Sequence, residues 1–237
     1  MEQQHFREYK ILENYRYERK FRPESLSVRQ IENIVLGSAA FFRRIYHPRY
    51  VNNIYLDTPE LDCFYDNTTG KSDRKKYRLR WYGNLKGHIS GAVFEIKIKN
   101  AYRGTKLSFF LPDFELTENF STVDCFQLLK NSDIPLEILD DVAGMEMKLL
   151  NSYKRTYFRD VTGNYRLTID DDIKYFNIKD NFNLIKEFIR DIDNVVEIKY
   201  DEEHNEYATH IISTLPFRMT RNSKYVEGIS YFYEVPL

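Results

Sequence analysis

Cysteine is scarce in this chain: Cys63 and Cys125 are the only two, and they form neither a C-x-x-C pair nor the even, closely spaced set that a disulfide framework needs. That scarcity suits a reducing cytoplasm. A surplus of one charge is also absent. The 35 Lys and Arg stand against 36 Asp and Glu, a formal net charge of -1, which excludes a globally basic nucleic-acid binder, so any anion site has to come from local arrangement. No run of about 18 apolar residues occurs, and no apolar stretch follows Met1, so the expectation is a chain with neither a membrane span nor a signal peptide. There is no Pro/Gly/Ser-rich linker, no low-complexity tract, no repeat of fixed period and no Walker A loop. What the chain has in quantity is aromatic and aliphatic side chains: 42% hydrophobic, 16% aromatic, 19 Tyr and 17 Phe. Bulky residues of this kind fill half-buried strands, and 237 residues suffice for a large core, so residues 1–237 are expected to form one domain.

The dominant pattern is alternation with period two. Arg16, Glu18, Lys20 and Arg22 oppose Tyr15, Tyr17 and Phe21 in the first predicted strand. Val51–Asp57 follows, then Tyr77–Tyr82, where Arg78 and Arg80 share one face and Tyr77, Leu79 and Trp81 the other. In Val93–Lys99, Glu95, Lys97 and Lys99 oppose Phe94, Ile96 and Ile98. Four further strands fit 104–111 with Lys106, 153–159 with Arg155 and Arg159, 165–172 with Arg166, Asp170 and Asp172, and 195–200 with Glu197 and Lys199. Helical spacing of apolar residues predicts helices over Pro23–Arg44, capped by Ser25 or Ser27, and over 121–131, 136–151, 182–190 and 203–215.

A strand with one charged and one oily face ordinarily turns its charges to water. Here almost every strand repeats the same mixture of Arg or Lys with Glu or Asp, and amphipathic helices are available to cover the apolar side. The other reading is therefore a closed antiparallel barrel of eight strands, helices outside, with the charged faces lining an interior that holds one ligand. Buried guanidinium and ammonium groups need partners, and acids two residues away (Glu18 with Lys20, Glu95 with Lys97, Glu197 with Lys199) could offset part of the repulsion. A linear chain of phosphates matches such a lining, and spare carboxylates could hold a hard divalent cation.

The segments RYERKF (16–21), NNIYLDTPELDCFYDN (52–67), KKYRLRWYG (75–83), VFEIKIK (93–99), YKRTYF (153–158), YRLTIDDDI (165–173), VVEIKYD (195–201) and RNSKYVEG (221–228) occur in an order and spacing that resemble a known family. They are similar to the polyphosphate polymerase domain of the vacuolar transporter chaperone (VTC) proteins, a branch of the CYTH, or triphosphate tunnel metalloenzyme, superfamily. The resemblance implies a metal-dependent phosphotransferase that moves the γ-phosphoryl group of ATP onto inorganic polyphosphate. It implies Arg78 and Arg80 as the principal phosphate clamps, with Lys20, Lys97, Lys99, Lys106, Arg155, Arg166 and Lys199 beside them. Glu197, with Glu18, is implied as the ligand of Mn2+ or Mg2+, and Ser223, Lys224 and Tyr225 as a closing motif whose lysine reaches the phosphates; Arg78, Arg80, Lys224 and Glu197 form the catalytic set. A triphosphatase and a sensor without turnover are the two other functions compatible with the resemblance. No nucleic acid is implied as a partner, whereas a membrane-protein partner that brings a cytoplasmic domain to a membrane is. Two departures stand out: the superfamily's first-strand E-x-E-x-K reads Arg16-Tyr17-Glu18-Arg19-Lys20, which disfavours two-metal chemistry, and Asn100–Lys106 carries only Arg103 and Lys106 where the family has a denser basic run.

Overall fold

Alternation of bulky apolar and charged residues commits long stretches of the chain to strands, and the computed structural model, which describes residues 16–100, 103–178, 188–233 and 235, contains twelve of them. In chain order the elements are β1 (Arg16–Phe21), α1 (Val28–Leu36), β2 (Arg43–Arg44), β3 (Arg49–Asp57), α2 (Asp62–Thr68), β4 (Asp73–Tyr82), β5 (Gly87–Ile89), β6 (Val93–Asn100) and β7 (Arg103–Phe110). They continue with β8 (Phe114–Leu116), α3 (Thr122–Lys130), α4 (Leu136–Asp141), β9 (Glu146–Arg159), β10 (Arg166–Asn177), β11 (Phe188–Arg190), β12 (Val195–Asp201), α5 (Asn205–Ser213) and α6 (Lys224–Phe232). Eight strands form one curved antiparallel path, β1-β12-β10-β9-β3-β4-β6-β7, while β2 adds to β9 and β11 to β10.

The expected closure of that path is not present. β1 is hydrogen-bonded to β12 and β7 to β6, but no ladder joins β1 to β7, so the sheet is an open half-barrel with helices rather than a closed eight-stranded barrel. Alternation dictates which face of a strand is charged; it does not dictate whether the last strand meets the first. The two edges nevertheless approach to within 8 Å between Cα atoms. A side-chain contact spans the seam, Lys97 Nζ of β6 to Glu18 of β1 at 2.8 and 2.9 Å.

The apolar residues opposite the charged face form two cores. Tyr77, Leu79, Trp81, Phe94 and Ile96 are buried with residues of α2, α3, α4 and α6. Phe21, Phe158, Leu167, Ile169, Val196 and Ile198 are buried with Ile31 and Val35 of α1 and Ala208 and Ile211 of α5. Among the described residues no helix is long and apolar enough to cross a membrane.

Three predicted helices change. The first shrinks to α1: Ser27 and Gln30 make a capping box at its start, and Gly37 ends it. The helix predicted over 136–151 stops at Asp141, because Gly144 takes the left-handed φ of 83° and the chain re-emerges as β9. β9 is buried on both faces from Met147 to Tyr153, polar Lys148, Asn151 and Ser152 included, so the segment carries no period-two alternation that separates strand from helix. The prediction over 182–190 falls mostly outside the described residues, and Phe188–Arg190 is strand β11.

Candidate anion site

The concave face of the sheet encloses a cavity of about 100 Å³ lined by Lys20, Tyr55, Lys76, Arg78, Arg80, Lys97, Tyr153, Arg155, Glu197, Lys199, Ser223, Lys224 and Tyr225. Eight of these are cationic and one, Glu197, is anionic. Register explains the gathering: β4 sends Lys76, Arg78 and Arg80 to one side while Tyr77, Leu79 and Trp81 go to the core, and β9 does the same with Tyr153 and Arg155.

Three buried carboxylate centres hold the cations in place. Glu95 accepts from Arg78 Nε at 2.9 Å and Nη2 at 2.6 Å and from Lys106 Nζ at 2.6 Å, with Arg80 Nη1 at 3.5 Å. Burial alone would raise its pKa, but Arg78, Arg80 and Lys106 together hold it well below the usual carboxylate range. Asp170, 1% exposed, accepts from Arg155 Nε at 2.5 Å and Nη2 at 2.7 Å and from Lys224 Nζ at 2.6 Å. Glu197 lies 2.7 Å from Lys199 Nζ and 3.4 Å from Lys20 Nζ. Glu18 shares Lys199, at 3.3 Å, and its pKa is lowered to about 2, the burial that opposes this being outweighed by Lys97, Lys199 and Lys20. With Glu18, Glu95, Asp170 and Glu197 set against eight cations, the cavity keeps an excess of positive charge.

Neutral donors and acceptors complete the orientation. Arg80 donates from Nε to Asn53 Oδ1 at 3.0 Å and from Nη2 to the Tyr153 hydroxyl at 2.6 Å. Burial works to raise the Tyr153 pKa, yet Arg155, Arg80 and Lys224 bring it down to about 8. Lys76 Nζ donates to Ser223 Oγ at 2.8 Å and has no carboxylate within ion-pair distance among the described residues. Burial, with Lys20, Lys97, Arg74 and Arg78 adding to it, depresses its pKa well below that of an ordinary lysine. Ser223 is the N-cap of α6, and this helix start carries Lys224 into the cavity.

Of the residues named from sequence, Lys20, Arg78, Arg80, Lys97, Arg155, Glu197, Lys199, Ser223, Lys224 and Tyr225 come together on the cavity. Tyr225 presents its ring, which packs 5.0 Å from that of Tyr55, while its hydroxyl donates to the buried Asp57. Asp57 also accepts from the backbone N–H groups of Cys63 and Phe64 at the start of α2, so the Tyr225 hydroxyl serves packing. Lys99, Lys106, Arg166 and Glu18 lie outside the lining. Lys106 is half exposed and turned to Glu95, Arg166 is exposed at the start of β10, and Glu18 sits at the seam. The neighbour pairing of acids and bases holds for Glu197 with Lys199; Glu95 instead pairs across strands with Arg78 and Lys106, and Glu18 with Lys97 and Lys199. Lys76, Tyr55 and Tyr153 escaped the sequence reading, although continuing the Arg80, Arg78 alternation two residues upstream finds Lys76.

A divalent cation has a partial donor set here. Among the described residues no group of three or more His, Cys, Asp or Glu could hold one without help. Glu197 Oε1, however, is buried and faces the Lys199 ammonium at 2.7 Å, which a bound cation would displace. One carboxylate oxygen of this kind, with Glu18 beside it and phosphate oxygens from a ligand, fits the way magnesium and manganese are held in phosphate sites.

A family model described as the VTC domain matches residues 15–233. Among solved structures the chain is similar to a candidate adenylate cyclase from Vibrio parahaemolyticus, at 17% identity and a TM-score of 0.49, covering 92% of this chain and 98% of that one. It is similar also to a protein from Pyrococcus horikoshii, at 15% identity and a TM-score of 0.49, covering 92% of this chain and 99% of that one. A search of the curated proteins gave no match.

Proposed function

The chain belongs to the VTC domain family, and from that membership and the charge of its cavity we propose that it binds the phosphates of ATP and inorganic polyphosphate and transfers the γ-phosphoryl group of ATP to the polyphosphate end. The observation that carries this reading is the lining of eight cationic side chains with a single carboxylate among them. An enclosed surplus of guanidinium and ammonium groups is costly without a polyanion, and a chain of phosphates supplies closely spaced charges for it.

Phosphoryl transfer between two ionised phosphates is largely a matter of in-line placement and charge stabilisation, and the acceptor needs no general base. Glu95 fixes the Arg78 guanidinium through two of its N–H groups, and Asn53 and Tyr153 fix that of Arg80, so both are oriented before a ligand arrives. Lys224, anchored on Asp170, neutralises charge on the reacting phosphates from the α6 side, with Lys20, Lys97 and Lys199 lining the same cavity. Lys76, whose pKa is depressed by burial and its cationic neighbours, adds a further donor that a polyanion would stabilise in its charged form. Glu197, with Glu18 in support, would hold a manganese or magnesium ion, which would supply neutralisation of phosphate charge.

The test is to incubate the purified protein with ATP and manganese and to resolve the products by chain length. ADP together with long-chain polyphosphate is the expected result. Orthophosphate without chain growth would replace the polymerase by a triphosphatase, and tripolyphosphate binding without any turnover would leave a binding module.

A further inference from the structure

Arg49 opens β3 on the same side of the sheet as Asn53 and Tyr55, and its Cα partner across the ladder is Arg155 of the cavity lining, about 5 Å away in such a pair. Its guanidinium carbon stands 4.1 Å from the ring centroid of Tyr82, 5.0 Å from that of Tyr157 and 5.9 Å from that of Tyr46, and its Nε donates to the Tyr157 hydroxyl at 3.3 Å. Tyr82 follows Arg78 and Arg80 on β4 at the same parity, and Tyr157 follows Tyr153 and Arg155 on β9, so the whole collar continues the cavity face towards one end of the half-barrel. Unlike Arg78 and Arg155, Arg49 has no carboxylate within ion-pair distance among the described residues. It is exposed and held in one orientation by aromatic faces rather than by a counter-ion. On the neighbouring strands Arg166 repeats the situation: it is exposed, lies in register with Lys199, and forms no ion pair among the described residues.

We propose that Arg49 in its tyrosine collar is an outer phosphate subsite, which engages a polyphosphate too long for the cavity and leaves tripolyphosphate untouched. The inference rests on the anion-binding reading of the cavity but adds a selectivity for chain length. A pre-oriented guanidinium without an acidic partner is a receptor for phosphate oxygens, and its position directly across the ladder from Arg155, at the exposed start of β3, is where an emerging chain would lie.

The experiment compares binding of tripolyphosphate and of long-chain polyphosphate to the unmodified protein, to Arg49→Ala and to Arg49→Lys by calorimetry at fixed salt. Expected is a loss of roughly tenfold in affinity for the long chain in Arg49→Ala, with tripolyphosphate affinity unchanged and Arg49→Lys recovering most of the loss. Equal affinities of Arg49→Ala and the unmodified protein for the long chain would overturn this subsite alone, as would an equal loss for both ligands. Failure of the unmodified protein to bind tripolyphosphate would overturn the cavity reading beneath it.

Discussion

Replacing Arg78 with alanine is expected to weaken tripolyphosphate binding by about 2–4 kcal/mol, roughly 30- to 700-fold in Kd, while the protein stays folded. The side chain is only 18% exposed and points into the cavity, so the interaction it loses with a phosphate is a charge-assisted one in a mostly desolvated setting. Its counter-ion Glu95 is not stranded, because Arg80 and Lys106 still face it. The stability cost should therefore stay near 1–2 kcal/mol, below the 3–5 kcal/mol typical of orphaning a buried charge. Calorimetric titration beside a thermal melt separates the two effects. Unchanged affinity in Arg78→Ala would remove β4 from the site, and a collapsed melt would show that the arginine serves the fold instead.

Gly228→Ala is expected to damage both stability and anion binding although the glycine touches no ligand. A Cβ there would lie 2.4 Å from Leu149 Cδ2 and 2.8 Å from Tyr175 Cδ1. Both partners are fully buried, on β9 and β10, so they have little room to yield, and α6 must shift outward. Overpacking of this kind costs about 1–3 kcal/mol, or about 2–12 °C in melting temperature for a domain of this size. Because α6 begins at Lys224, capped by Ser223, the same displacement draws the ammonium away from Asp170 and the cavity, with a loss of roughly tenfold in tripolyphosphate affinity. A variant with normal melting and normal binding would contradict the tight seating of α6.

The parts of this architecture that were legible in the sequence are those set by local geometry. Period two alone puts Arg78 and Arg80 on the face opposite Leu79 and Trp81, because successive side chains of a strand must alternate. Capping chemistry likewise narrows the start of α1 to Ser25 or Ser27, of which the structure uses Ser27. What was not legible depends on register between distant strands. Glu95 reaches Arg78 and Asp170 reaches Arg155 only because β6 pairs with β4 and β10 with β9 in one alignment, and no spacing within a strand encodes that. The open seam is of the same kind, since the approach of β1 to β7 is the sum of curvature over the whole path. Burial on both faces of β9 erased the alternation that would have told strand from helix at 146–151. Lys76 was missed for a smaller reason, the upstream extension of β4 to Asp73.

The account depends on the arginines and lysines of the concave face enclosing an anion instead of facing bulk solvent. Diffraction from crystals grown with tripolyphosphate tests this most directly. The predicted result is a chain of phosphate density inside the half-barrel, touching Arg78, Arg80, Lys97 and Lys224. Density confined to the outer surface, or an empty cavity at saturating tripolyphosphate, would contradict it.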